Sequence, residues 1–575
     1  MTSSHPRWGR AIASLSPPTH RKRLTLSVDS ELTGLQAMEK ISRLAADGHL
    51  ATRMDAETEI DISTLESSLL LAQDPMTIRH LANPPVISGC VRLMRTMIGQ
   101  RPGVASPFSY EYGLLCFNLL VFCLNICLLE RWNQLYQPLE MGRHTPNAPA
   151  HVWTSIEVSY AVIDQFKVLK DEGDCDWVLG WSASSAHPRQ TLLLSQSDIA
   201  ALLQMLWDDR KLFLKYLALY AAAVPGLSGL FFMFSRYLTQ VCDSEQDRDG
   251  DALKIRLYEL ALRYQAVADA YQGEANMKII YANSQEFAEW TKTTKHIDEE
   301  DSRLIVAAAI NQVANYEDSD ISLLLAHGPA VLTQLVPFAM DARSQDLLPE
   351  VLRSLIQSGW LWLLEMVDND NSEAFIQMFF PTIVSMIRPH HNQSYQLSPS
   401  TQTKVMDVIY DGDLINLSAC AMIRLNPANT ETFAVRIIPA FFRVLAETLP
   451  EDELRRHLWD YAPDWDRFYT HLEVVAYGIP TSPSSRYQEH YRICIYTWSE
   501  IAHLLDFEHS PYYGGVSECF SGRCPRAYPS GTALFGCADC AVAVYCNDRC
   551  QSMGWMFGHF KPPHRQLCRT NVGGY

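Results

Sequence analysis

Apolar residues recur at helical spacing through most of this sequence, from about residue 31 to residue 510. After Ser195, which can cap a helix, they form one face of a predicted helix: Ile199, Leu202, Leu203 and Leu206. The same pattern recurs in residues 304–315, 347–356, 374–387 and 430–448. The sequence therefore predicts a mainly α fold with a large helical body over residues 31–510. Stacked helix pairs, as in armadillo- or HEAT-like solenoids, are one packing that fits, although no fixed repeat length is present.

The length and the charge of the chain limit its organisation and its partners. At 575 residues it exceeds the roughly 250–300 residues beyond which a single core stops growing, so at least two structural units are expected. Residues 1–30 are rich in Ser, Pro and Arg, lack periodicity over most of their length, and are expected to be a disordered basic tail. The net charge is −18, and nearly all the acidic residues lie in the helical body. Such a body repels a phosphate backbone, which argues against a nucleic-acid partner.

One apolar run is long enough to cross a membrane. Residues 112–129 contain no charged residue and lie directly between Glu111 and Glu130. Asn118 and Asn125 lie inside the run, and an amide side chain is costly in hydrocarbon. The sequence therefore favours a fully buried helix of the body over a membrane span, and we expect no membrane partner.

The cysteines are unevenly distributed. Seven of the fifteen lie between residues 519 and 568, and the other eight are scattered and read as small core residues. The first thirty residues lack the continuous apolar run of a secretory signal, so the expected compartment is intracellular, either cytoplasmic or nuclear. In a reducing compartment a tight cysteine cluster indicates metal binding before disulfides.

Eight potential ligands form four pairs within this cysteine-rich window. The pairs are Cys519 with Cys524, Cys537 with Cys540, Cys546 with Cys550, and a histidine with Cys568. Zn²⁺ takes four thiolate or imidazole ligands in a structural site, so eight ligands predict two zinc ions. The i, i+4 pair at 546 and 550 shares one helix face if a short helix begins near Asn547, a good N-cap.

Two histidines compete to be the partner of Cys568. His559 lies close behind Trp555, whereas His564 is separated from Cys568 by the same interval that separates the third pair of cysteines. Two prolines at 562 and 563 end any preceding helix and allow a new turn to begin at residue 564. The sequence favours His564, with His559 as the alternative.

The segment 517–570 resembles the MYND zinc finger. The resemblance rests on the succession Tyr545-Cys546, Cys550-Gln551, Trp555 and His564-x3-Cys568. It departs from the family in the Cys519-x4-Cys524 spacing, where x2 is usual, and in Gly554, where an Asp often precedes the Trp. The combination with a long helical region also resembles MYND-finger proteins of fungi.

The resemblance implies a ligand assignment, because the pairs interleave in this family. One zinc would be held by Cys519, Cys524, Cys546 and Cys550, and the second by Cys537, Cys540, His564 and Cys568. MYND fingers bind proline-rich peptides through a matching Gln and Trp. The resemblance therefore implies that Gln551 and Trp555 dock a proline-containing peptide of a partner protein.

The sequence favours a non-enzymatic role. It contains no GxSxG elbow, no phosphate-binding GxxxxGK[ST] loop and no HExxH motif, and eight ligands would close both zinc sites. We expect an adaptor that acts through protein–protein interaction. The alternative is an enzyme or enzyme component, either a divergent lysine methyltransferase or a ubiquitin-ligase component that uses the finger for docking.

Overall fold

The structure of the protein is a computed structural model. It describes residues 4–15, 25–46, 60–99, 106–145, 150–182, 190–220, 224–242, 248–316, 334–365, 372–388, 396–425, 432–458, 461, 465, 468–469, 472, 485–505, 519–524, 535–537, 543–545, 547–557 and 563–571. The chain divides into two compact units, Met1–Ala308 and Ala309–Tyr575, which are called here the first and the second unit. The division falls within the span that the sequence grouped as one helical body.

The secondary-structure elements described in the first unit are helices, with isolated β-bridges at His5–Gly9 and Ala11–Tyr110. Its helices are α1 (Val28–Ala46), α2 (Ile62–Leu70), α3 (Pro84–Gly99), α4 (Glu111–Arg131), α5 (Tyr136–His144), α6 (Ala150–Lys170), α7 (Gln196–Asp208), α8 (Arg210–Tyr220), α9 (Ser228–Cys242), α10 (Arg248–Gln265), α11 (Ala270–Ala282), α12 (Phe287–Trp290) and α13 (Glu299–Tyr316), the last of which contains the division. Short 3-10 turns lie at Ile12–Ser14, Leu71–Gln73, Ile78–Leu81, Pro107–Ser109, Asp176–Leu179 and Ser284–Glu286.

The second unit combines helices with one small hairpin. Its helices are α14 (Val336–Ala339), α15 (Leu348–Glu365), α16 (Ser372–Ile387), α17 (Pro399–Asp411), α18 (Leu414–Ile423), α19 (Thr432–Thr448), α20 (Glu451–Leu458), α21 (Ser485–Leu504), α22 (Asp548–Met556) and α23 (His564–Asn571), with a 3-10 turn at Gln345–Leu347. Strands β1 (Phe535–Gly536) and β2 (Val544–Tyr545) pair antiparallel. The predicted mainly α fold is confirmed.

Helix α7 shows how closely local sequence and structure agree. Ser195 is its N-cap, and the side-chain oxygen accepts a hydrogen bond from the backbone N–H of Asp198. The predicted apolar face is buried along the helix: Ile199, Leu202, Leu203 and Leu206. Burial of such a face is the main source of helix stability in a folded protein.

Helix α4 is the central core helix of the first unit. It packs against α2, α3, α6 and α9. Among the described residues it is the one helix long and apolar enough to cross a membrane, and 89% of its most apolar window is buried inside the structure. Its two asparagines have protein partners, because Asn118 accepts from the Tyr216 hydroxyl at 2.8 Å and Asn125 donates to the Gly226 carbonyl at 2.8 Å. The prediction of a buried helix is confirmed.

The N-terminal segment differs from expectation. Residues 4–15 and 25–30, predicted to belong to a disordered tail, are folded, and α1 already begins at Val28. Residues 1–3 and 16–24 lie outside the described part of the chain. The indole of Trp8 is 7% exposed and lies 5.9 Å from the ring of Tyr112. The Arg10 guanidinium donates two hydrogen bonds to the carboxylate of Glu111, at 3.1 and 2.6 Å. An aromatic anchor and a bidentate ion pair offset the entropy of ordering this basic segment.

In the second unit the C-terminal segment lies beside a set of paired helices. Helix α16 packs against α19, and α19 packs against α21. Helix α15 packs against α17 and α18, which are joined by the tight turn at Gly412 and Asp413. Helix α22 contacts α23 and β2, so the described residues from 519 to 571 form one small substructure, which is called here the finger.

Candidate metal centre

Six of the predicted ligands lie in two groups within the finger. The first, called the Cys519 group, consists of Cys519, Cys524 and Cys550; the second, called the Cys537 group, consists of Cys537, His564 and Cys568. Within each group the potential ligand atoms lie within 4.8 Å of one another. Thiol and imidazole donors at this separation suit a tetrahedral transition-metal site, and zinc above all. The described residues therefore fit two metal sites.

The Cys519 group is built from a turn and a helix start. Cys519 and Cys524 lie on either side of a turn closed by a hydrogen bond from the backbone N–H of Cys524 to the carbonyl of Ser521, at 3.1 Å. Cys550 lies in the first turn of α22, where its N–H donates to the side-chain oxygen of Asn547 at 2.7 Å. The predicted N-cap is confirmed, and a helix N-terminus favours the thiolate form that binds metal.

The Cys537 group is built from the hairpin and the last helix. Cys537 directly follows β1, and its N–H donates to the carbonyl of Ala543 at 2.9 Å. His564 is the first residue of α23, as expected after Pro563, and Cys568 follows one helical turn later on the same face. The sulfur atoms of Cys537 and Cys568 are 3.7 Å apart. Hairpin and helix thus present three donors to one point.

His564 is held by aromatic side chains. It is 3% exposed, its ring stacks against Tyr545, and the Tyr545 hydroxyl is hydrogen-bonded to Nδ1. The rings of Phe520 and Trp555 lie 5.4 and 5.6 Å from it. A hydrogen bond at Nδ1 fixes the orientation of the imidazole.

The remaining predicted ligands fall outside the described residues. These are Cys540, Cys546 and the alternative histidine, His559. The six described ligands are distributed between the two groups in the way that the interleaved pairing implies, with Cys519 and Cys524 joined to Cys550, and Cys537 joined to His564 and Cys568.

The two predicted peptide-binding residues lie on α22. Gln551 is half-buried, and Trp555, one turn later, is 37% exposed. Cys550 and Met553 on the same helix are buried, so α22 presents one side to the metal groups and another to solvent.

The packing around Gly554 leaves no room for a side chain. A Cβ atom at this position would lie 2.6 Å from a ring carbon of Tyr545, closer than real contacts allow. The glycine therefore lets α22 approach the tyrosine that contacts His564. Sequence reasoning cited Tyr545 as part of the resemblance without giving it this role.

The described residues of the finger form a small core made largely of potential ligands. Its buried cluster consists of Cys537, Ala543, Tyr545, Cys550 and Cys568, with Cys519 and Cys524 packed against it. A small cluster of this kind is typical of fingers whose folding depends on metal.

The described cysteines outside the finger are buried or half-buried thiols among the helices. The seven whose side chains are described are free thiols, six of them buried: Cys90, Cys116, Cys123, Cys127, Cys175, Cys494 and, half-buried, Cys420. Burial raises the pKa of Cys127, Cys175, Cys420 and Cys494 to about 12. They are therefore protonated core residues, as the sequence predicted.

One Cys–His pair in the helical part was not predicted. The sulfur of Cys494 lies 3.4 Å from Nε2 of His490, one turn earlier on α21. Burial lowers the pKa of His490 to about 4 and raises the pKa of Cys494 to about 12. Both shifts oppose the thiolate–imidazolium state that a cysteine nucleophile needs. The pair is a core contact.

Comparisons with known proteins do not assign a family. No protein-family model matches the chain, and no curated protein matches it. Among solved structures it is similar to one described as a circular tandem repeat protein with novel repeat topology and enhanced subunit contact surfaces. The sequence identity is 11% and the TM-score 0.20, over 83% of this chain and 95% of that chain. A TM-score this low carries no argument about fold or function.

Proposed function

We propose that residues 517–570 form a two-zinc finger of the MYND type that docks a proline-containing peptide of a partner protein. The chain as a whole acts as a non-enzymatic interaction protein. Cys546 completes the Cys519 group and Cys540 completes the Cys537 group, giving four donors for each ion. Zinc fills such closed sites as a structural ion, which fits a role in binding rather than in catalysis.

The observation that carries this proposal is the exposed apolar surface of the finger. Trp555 is 37% exposed and lies one turn after Gln551 on α22. Phe520 and Met556, 37% and 43% exposed, are the other large apolar side chains exposed on the described part of the finger. An indole beside an amide that can donate and accept offers an apolar platform with a polar edge, and such a surface suits an extended, proline-containing peptide.

The proposed compartment is the cytoplasm or the nucleus. The cysteines that the structure describes are free thiols, which fits a reducing environment in which metal, not disulfide, holds a cysteine cluster together.

The test has two measurements on the full-length chain. Elemental analysis should give two zinc ions per chain. Fluorescence polarisation with a labelled PPxL-type peptide should show binding in the micromolar range, weakened at least tenfold by Trp555→Ala with zinc content unchanged, because a central Trp commonly dominates such contacts. Tyr496→Ala, which removes an aromatic side chain that is 72% exposed on α21, is the matched control and should bind like the wild type.

Three outcomes would contradict the proposal. One zinc or none would remove the two-ion finger. Peptide binding that survives Trp555→Ala would place the site elsewhere. Loss of zinc in Trp555→Ala would make Trp555 a structural residue.

A further inference from the structure

Two arginines of the finger point away from its metal groups and into the helices of the second unit. Arg523 directly precedes Cys524, and Arg549 directly precedes Cys550, so each is one residue from a member of the Cys519 group. Both are buried: Arg523 is 4% exposed, and the side chain of Arg549 is 9% exposed. Arginine is rarely buried unless it is paired, so the burial of these two side chains depends on the residues that they contact.

Arg549 binds the turn between α17 and α18. Its Nε donates to Oδ1 of Asp413 at 2.9 Å, and Nη2 lies 2.7 Å from the same oxygen. Nη2 also donates to the carbonyl of Tyr410 at 3.1 Å. The guanidinium lies over the rings of Tyr410 and Tyr461. This is a charge-assisted contact between two buried side chains, with aromatic rings beside it.

The turn that receives Arg549 is conformationally demanding. Asp413 is 1% exposed and has φ of +61°, a left-handed conformation that costs a non-glycine residue free energy. Its neighbours hold it in place: Trp360 donates to the Gly412 carbonyl at 2.8 Å, and Asn416 donates to the Asp413 carboxylate at 3.0 Å. Burial raises the pKa of Asp413, while Arg549 and Arg523 both act against that rise. Both arginines of the finger therefore favour the charged form of the Asp413 carboxylate, against the effect of burial.

Arg523 reaches α15. Its Nη2 donates to Oε1 of Gln357 at 2.7 Å, and its guanidinium lies 5.1 Å from the ring centre of Trp360 and 3.7 Å from that of Phe557. Gln357 and Trp360 belong to α15, and Phe557 directly follows α22 in the finger. The two arginines thus contact a set of neighbouring side chains, called here the arginine-receiving surface: Gln357, Trp360, Tyr410, Asp413 and Tyr461.

Charge pairing alone does not explain this contact. Arg549 contacts the carboxylate of Asp413, whereas Arg523 acts on it only electrostatically, without an ion pair. Within the described part of the chain three buried N–H groups of these arginines have no hydrogen-bond acceptor: Nε and Nη1 of Arg523 and Nη1 of Arg549. In the first unit, by contrast, the fully buried Arg263 contacts both Glu259 and Asp301. An under-paired buried guanidinium costs free energy, so it stays docked only where other contacts hold its chain segment in place. A metal ion bound by the neighbouring Cys524 and Cys550 would hold the backbone of residues 523 and 549 in this way.

We infer that metal binding at the Cys519 group is coupled to the docking of Arg523 and Arg549 on the arginine-receiving surface, so that loss of the ion releases the α17–α18 turn. The occupant of the surface is the finger of the same chain. The inference rests on the metal binding of the proposed function, but not on its peptide site. A structural metal supplies the folding free energy of a small finger. Without the metal, the finger therefore cannot keep its two arginines docked on the arginine-receiving surface. By linkage, docking of the two arginines in turn increases the affinity of the Cys519 group for its metal ion.

Hydrogen exchange of the full-length chain, read by mass spectrometry with zinc and after chelation, tests this coupling. In the wild type, chelation should speed exchange at least tenfold in peptides covering residues 407–416, and leave α4 unchanged. In Arg549→Ala the same peptides should exchange fast before chelation, with zinc still bound. The chelator concentration that removes half the zinc should fall severalfold in this variant.

Controls separate the coupling from general damage. Arg565→Ala removes an exposed arginine of the same finger, and Asp411→Asn removes an acid two residues before Asp413; both should behave like the wild type. If Arg549→Ala does not fold, Asp413→Asn removes the same ion pair with little change of shape and should give the same result.

The outcomes are distinct. If the exchange rate of residues 407–416 does not change when all the metal is removed, the coupling is wrong. The proposed zinc finger would still stand. A chain that binds no metal would overturn both. Loss of PPxL binding in a chain that keeps the coupling would overturn only the proposed peptide site.

Discussion

The second unit contains two His-x3-Cys pairs, and only one of them belongs to a metal group. His490 and Cys494 lie one turn apart on α21, and His564 and Cys568 lie one turn apart on α23. All four side chains are buried. In sequence the two pairs are equivalent, because i, i+4 spacing on a helix brings both donors to one face.

The surroundings of the two pairs decide their chemistry. His564 and Cys568 face a third donor, Cys537, and a tyrosine hydroxyl at Nδ1 orients the imidazole. His490 and Cys494 face each other, and burial keeps both neutral. Helical spacing brings two donors together, but among the described residues a metal group forms only where a separate segment supplies the third donor.

Metal removal should separate the two pairs most strongly. Chelation should unfold the finger, because apparent affinities of roughly 10–16 kcal/mol for structural zinc in finger peptides are mostly folding free energy. Its cysteines should then react with a maleimide within minutes, while Cys494 stays protected until denaturant is added. Mass spectrometry of labelled peptides measures both. Finger thiols that stay protected after all metal is removed would show that the finger folds without metal.

Histidine substitutions should distinguish the two His-x3-Cys pairs by the number of zinc ions that the chain binds. His564→Ala should reduce zinc content from two ions per chain towards one, because it removes a donor of the Cys537 group. His490→Ala is the matched control on an equivalent His-x3-Cys pair and should leave zinc content unchanged, as should His559→Ala. Elemental analysis of the purified chains measures the zinc content of each variant. Zinc loss in His559→Ala with retention in His564→Ala would reassign the ligand.

Much of this structure could be predicted from local pattern. The periodicity at 199–206 gave the buried face of α7, and the asparagines inside the apolar run pointed correctly to a core helix. The cap at Asn547 and the helix start at His564 followed from single residues with strong local preferences. These features depend on neighbours in sequence, so sequence was enough.

The contacts between distant segments could not be predicted in this way. Asp413 belongs to an Asp-Gly-Asp sequence, which is typical of a turn, but its buried partner, Arg549, lies 136 residues away. Trp8 was assigned to a disordered tail because its partner, Tyr112, belongs to a segment far along the chain. A basic or aromatic residue in a polar stretch gives no local signal of the surface that receives it.

The smallest expected effect is on pH dependence, and it tests whether the His490 pair is a core contact. The pKa of His490 is about 4 in the folded chain against an ordinary value of 6.5, so between these values the unfolded chain binds more protons. Stability from this group is therefore present above about pH 6.5 and lost as the pH falls towards 4, by roughly 3 kcal/mol in full. His490→Gln should remove this dependence, so calorimetry at pH 7 and pH 5 should show a smaller loss in the variant than in the wild type. His503→Gln, at an exposed histidine of the same helix, should keep the wild-type loss, and comparison at each pH cancels any acid release of zinc. Equal losses in all three chains would mean that His490 is hydrated in solution, and the contrast between the two His-x3-Cys pairs would then rest on the third donor alone.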